Sequence, residues 1–107
     1  MSNSSSYLSG EFAVWPNKSR LVEALHAAGL KVREGQHSIR VESCEHFVFQ
    51  GLPDLPAIDA DATSAAEMIA DARRVSDALS AAQIPHRFEV YGPADELLEC
   101  FQYQWVR

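Results

Sequence analysis

Ala24-Leu25-His26-Ala27-Ala28-Gly29-Leu30-Lys31-Val32-Arg33 can be laid on Ala78-Leu79-Ser80-Ala81-Ala82-Gln83-Ile84-Pro85-His86-Arg87 without a gap. Alanines match at 24/78, 27/81 and 28/82, and so do Leu25/Leu79, Leu30/Ile84 and Arg33/Arg87. Each stretch reads as the end of a helix running into a strand. Ala-Leu-x-Ala-Ala is also simply good helix sequence. Taken as a repeat, it predicts two strand-helix-strand halves. The expected fold is therefore an α+β, ferredoxin-like (split βαβ) two-layer sandwich, an antiparallel sheet with two helices on one face.

Outward from the first copy, Asn17 or Ser19 can cap a helix whose stripe is Leu21, Val22, Leu25 and Ala28. Gly29 supplies a left-handed stop, after which Leu30 folds back on Leu25. Before the helix, Glu11-Phe12-Ala13-Val14-Trp15 is β-prone and ends at Pro16, so a first strand is expected there. The Ser-rich residues 1–9 are read as a flexible lead-in, leaving 10–107 as a single α+β domain.

After the helix the period changes to two. Ile39 and Val41 alternate with Ser38, Arg40 and Glu42, and Phe47 and Phe49 alternate with His46 and Gln50, which predicts strands. Residues 51–62 hold two prolines and three aspartates and read as a surface crossing, with Asp59 and Asp61 as helix-entry acidity. Ser64 to Glu67 fits a capping box, opening a helix with an apolar stripe at Ala65, Met68, Ile69, Ala72, Val75, Leu79 and Ala82. Ile84-Pro85 stops it. Residues 87–91 and 99–106 alternate as a final strand pair, the last being an addition to the minimal fold. Spacing leaves open which side Phe101, Tyr103 and Trp105 face.

The chain has 107 residues, 47% hydrophobic and 22% charged, as expected of one globular core. Its opening has neither a basic region nor an apolar run, and no stretch approaches a membrane span. A cytoplasmic location and no membrane association are expected, with Cys44 and Cys100 as free thiols. The net charge is −6. Residues 1–53 hold five basic and five acidic side chains, and residues 54–107 hold four basic and ten acidic, so the second half carries the whole excess. Scattered, balanced basic residues argue against nucleic acid.

Chemistry-bearing patterns are sparse. Cys44-Glu45-His46 near His37 matches no established ligand spacing, so no metal is expected. Asp59 to Thr63 starts like a calcium loop but has Ser64 where glycine is needed and Ala70 where a bidentate glutamate should stand. No glycine-rich phosphate loop or nucleophile motif occurs, and neither a cofactor nor a catalytic residue is expected.

Two functions fit. The first is a non-catalytic protein-binding module, an acidic inhibitor or an immunity or antitoxin-type protein, which neutralises a basic protein partner through Asp54, Asp59, Asp61, Asp95, Glu96 and Glu99. The second is a small enzyme or ligand-sensing domain, a homodimer with Arg40, His46, Arg87 and Tyr91 lining a site on the open sheet face. The first is the preferred expectation.

Overall fold

The computed structural model describes residues 5–44, 46–50 and 57–105. The elements run β1 (Ser6–Phe12), α1 (Lys18–Ala27), β2 (Val32–Glu34), β3 (Ser38–Val41), β4 (His46–Gln50), β5 (Ala57–Ala62), α2 (Ala65–Ala81), β6 (His86–Tyr91) and β7 (Leu97–Tyr103). The class is α+β: the described residues form one seven-stranded sheet in the order β2-β3-β4-β5-β1-β6-β7, antiparallel at every pairing, with two helices. This order exceeds the four strands plus one that the repeat predicts. The connection through α1 passes over three strands and delivers the chain to the far edge at β2.

The two helix ends repeat as the sequence suggests. Asn17 caps α1 by accepting the Arg20 N–H at 2.9 Å, and Ser64 caps α2 by accepting the Glu67 N–H at 3.2 Å. Gly29 takes φ 83°, and the Leu30 N–H returns to the Leu25 carbonyl at 3.0 Å. Gln83 takes φ 59°, and the Ile84 N–H returns to the Leu79 carbonyl at 2.9 Å. Both are left-handed stops that satisfy late carbonyls. From the first turn of α1, Arg20 donates to the Ala82 carbonyl at 3.3 Å, a cation at the C-terminus of α2.

Two expectations fail. The first strand is not Glu11–Trp15 but Ser6–Phe12, so residues 6–9 belong to the sheet and not to a flexible lead-in. Pairing on both sides, to β5 and β6, satisfies its backbone and outweighs its serine-rich composition. Of the expected surface crossing at 51–62, residues 51–56 lie outside the described residues, and residues 57–62 form β5, the middle strand of the seven. There Ile58, Ala60 and Ala62 are buried while Asp59 and Asp61 are exposed, so these acids do not sit at a helix entry. Alanine pairs poorly with the idea of a strand, yet its small side chain suits a position directly under a helix.

Every strand and both helices contribute to one core, either directly or, as Val32 of β2 and Phe101 of β7 do, as half-buried residues packed against it. Phe47, Phe49, Phe88, Leu21, Leu25, Met68 and Leu79 are fully buried within it. Gly10 stands where a Cβ would lie 2.9 Å from the Phe88 ring and 3.0 Å from Ile58, so only glycine lets those two side chains meet across β1. Phe101 and Tyr103 are register partners of Phe88 and His86, which puts both on the helix side. Among the described residues no helix is long and apolar enough to cross a membrane.

Candidate functional site: the open sheet face

Side chains alternate along the strands, and because one face of the sheet is covered they divide between core and open face, with one irregularity in β7. The registers place Arg33, Arg40, Val48, Asp59, Ser9 and Glu89 opposite one another, strand by strand, in one transverse row. The neighbouring row is His46, Asp61, Tyr7 and Tyr91. On the other side lie Glu11, Arg87 and Gln102. Charge therefore runs across the face: arginines at the β2–β3 end, and mainly carboxylates, with Arg87 among them, from β5 to β6.

The acidic end surrounds an aromatic pair. Tyr7 and Tyr91 stack with ring centroids 5.2 Å apart and planes 19° from parallel, and Tyr7 is 40% exposed. The Tyr7 hydroxyl donates to Asp95 Oδ1 at 2.9 Å, and the Tyr91 hydroxyl donates to Glu89 Oε1 at 2.7 Å. Each carboxylate holds its phenol in the protonated form, raising both pKa values above the ordinary tyrosine range. Glu89 also takes Arg87, with Nη2 at 2.7 Å and Nε at 3.1 Å from Oε2, and Arg87 Nη1 donates to Gln102 at 3.2 Å. That carboxylate raises the Arg87 pKa above the already high arginine value.

His46 Nδ1 lies 3.1 Å from Asp61 Oδ2, close enough for an ion pair but not aligned as a hydrogen bond. Gln50 donates to Asp59 at 3.0 Å. Of the expected partner-binding acids, Asp59 and Asp61 thus share the open face, and Asp95 reaches it from the β6–β7 turn. Glu96 is spent inside that turn, where its carboxylate accepts the Ala94 N–H at 3.0 Å. Glu99 is the register partner of the buried Val90, so it points away from the tyrosines, on the helix side. A bulge at Leu98 produces this, since Val90 pairs with Glu99 but Tyr91 pairs with Leu97. Asp54 lies outside the described residues.

The expected ligand residues Arg40, His46, Arg87 and Tyr91 all share the open face, but they do not converge. Arg40 sits on β3 and Arg87 on β6, four strand spacings or roughly 19 Å apart. Tyr7 and Glu89 complete the patch, and the Tyr7-Leu8 alternation inside the serine-rich opening was the signal that could have placed Tyr7 there.

Catalytic pairings are poorly supported. His46 on β4 and Cys100 on β7 are also four strand spacings apart, too far for a thiol and its base. The Cys44 thiol is pushed up to about 12 by its burial and by the nearby Asp71 carboxylate. Ser76 Oγ and His86 Nε2 are 2.7 Å apart, the spacing of a nucleophile and base, yet His86 is fully buried and Ser76 is only 5% exposed. Among the described residues no three His, Cys, Asp or Glu side chains gather as a metal site. Compared with family models, curated proteins and solved structures, the chain matches none.

Proposed function

We propose that this chain is a non-catalytic protein-binding module, of the inhibitor or immunity and antitoxin kind, that neutralises a basic protein partner with the acidic, aromatic end of its open sheet face. The observation that carries the reading is the exposed Tyr7–Tyr91 stack with Asp61, Glu89 and Asp95 around it. An arginine or lysine of a partner gains a cation–π contact over a tyrosine ring, worth roughly 0.5–2 kcal/mol, and a carboxylate beside it. The net charge of −6 supplies long-range steering toward a positive surface. Asp59, Asp61 and Asp95 keep their place in this surface, the two tyrosines join it, Glu89 holds Tyr91 and Arg87 in position beside it, and Glu96 and Glu99 leave it.

A cytoplasmic setting suits the two free thiols, Cys44 and Cys100. A ferredoxin-like relationship is supported in a restricted form. The four strands β4-β5-β1-β6 would be its core, β2 and β3 an inserted hairpin, and β7 an added edge. The enzyme or sensor alternative draws on the same face but needs Arg87 for a ligand, and Arg87 is already held by Glu89 and Gln102.

Affinity capture from the native host, followed by association kinetics with the captured protein at low salt, tests the proposal. The expected partner is basic, and it should associate more slowly with the Asp61→Asn/Asp95→Asn chain while Glu99→Gln behaves as wild type. Equal rates for all three chains, or a partner without a basic surface, would overturn it.

A further inference from the structure

The basic end of the open face has its own geometry. Arg33 on β2 and Arg40 on β3 are direct register partners, and both side chains are exposed on that face. Like charges directly opposite in an antiparallel pair are destabilising. Charge on an edge strand is a common guard against unwanted pairing, which accounts for Arg33 but not for Arg40 on the inner strand.

Arg33 is oriented by Glu42, whose Oε2 lies 2.9 Å from its Nε, so its four Nη hydrogens stay available. Arg40 has no carboxylate within ion-pair distance among the described residues. A cleft of about 370 Å³ opens beside them, lined by Arg33, Arg40, Glu42 and Cys44. That volume falls within the range of small-ligand sites. A doubly charged oxyanion placed there removes the repulsion between the arginines and meets two planar donor forks.

We infer that this cleft is a phosphate-binding site, with Arg33 and Arg40 as the two ligating cations and Glu42 as the residue that positions Arg33. The ligand is a phosphate group, either free or carried as a monoester on a small molecule. The site lies at the other end of the face from the tyrosines, and it stands or falls apart from the partner reading.

The test is a backbone amide NMR titration of the intact chain with inorganic phosphate and, separately, with glycerol 3-phosphate, each against sodium chloride at matched ionic strength. Saturable shifts centred on β2, β3 and the Glu42-to-Cys44 turn are expected. A stronger response to the ester than to inorganic phosphate assigns a small-molecule monoester, and the reverse assigns free phosphate. Arg40→Gln and Arg33→Gln should each weaken binding by roughly tenfold or more, as loss of a charged hydrogen-bonding partner does. Both substitutions are on exposed side chains, and an unchanged amide spectrum elsewhere verifies the fold. Shifts no larger than those from chloride, or binding that survives Arg40→Gln undiminished, would overturn the inference.

Discussion

Ser76 Oγ lies 2.7 Å from His86 Nε2, and on the other side of the ring His86 Nδ1 lies 2.8 Å from the Ile84 carbonyl oxygen. A carbonyl only accepts, so Nδ1 carries a proton. The position is fully buried between α2 and β6, which favours the neutral imidazole, and in that form Nε2 accepts from the serine hydroxyl. It also packs on Phe88, with ring centroids 4.9 Å apart.

Burial lowers the His86 pKa below its ordinary value of 6.5. The unfolded chain accepts a proton near pH 6.5 that the folded chain refuses, so falling pH favours unfolding. Stability should decline from about pH 6.5 down toward the lowered folded value. Urea midpoints between pH 7.5 and 5 measure this, and the difference between wild type and His86→Gln isolates it from carboxylate titration. A wild-type curve parallel to that of His86→Gln would refute the assignment. Ser76→Ala should cost about 1–3 kcal/mol at neutral pH, because it leaves a buried acceptor without its donor.

Gln83 holds a left-handed conformation that its counterpart Gly29 adopts without a side-chain penalty. Gln83→Gly should stabilise the protein by about 0.5–1 kcal/mol, the relieved strain outweighing the added freedom of the unfolded chain. Arg20 contacts only backbone carbonyls at this site, so that link survives the change. Thermal unfolding checks the sign, and a lower melting temperature would contradict it.

The two thiols should separate kinetically. Cys44 is buried, and its pKa of about 12 leaves almost no thiolate at pH 8. Cys100 is half-exposed on the open face of β7. A disulfide reagent should label one thiol rapidly in the native protein and the second only on unfolding. The fast phase should vanish in Cys100→Ser. Rapid labelling of both in native buffer would show that the Cys44 environment is described wrongly.

What could be read without coordinates was what short-range forces decide. The stripe of Leu21, Val22 and Leu25 and the caps at Asn17 and Ser64 involve residues within one or two turns of each other. So does the stop after Leu25, where the Leu30 amide, five residues on, returns to its carbonyl. The alternation at Ile39, Val41, Phe47 and Phe49 is likewise local and correctly separates core from open face. Composition misled where pairing on both sides overrules it, in serine-rich β1 and alanine-rich β5.

The sequence by itself determined the two capped helices, the −6 charge and the alternating faces of most strands. Only the tertiary structure decided that Tyr7 stacks on Tyr91, that Asp59 and Asp61 share their face, that Glu99 does not, and that Arg33 meets Arg40. Those relations are set by the register between strands. Apart from the nearby Arg33 and Arg40, they join residues distant along the chain, and the Leu98 bulge reverses a side chain that simple alternation would have placed on the other face. Register is selected by burying one continuous core beneath two helices, a requirement on the whole chain that no local stretch contains.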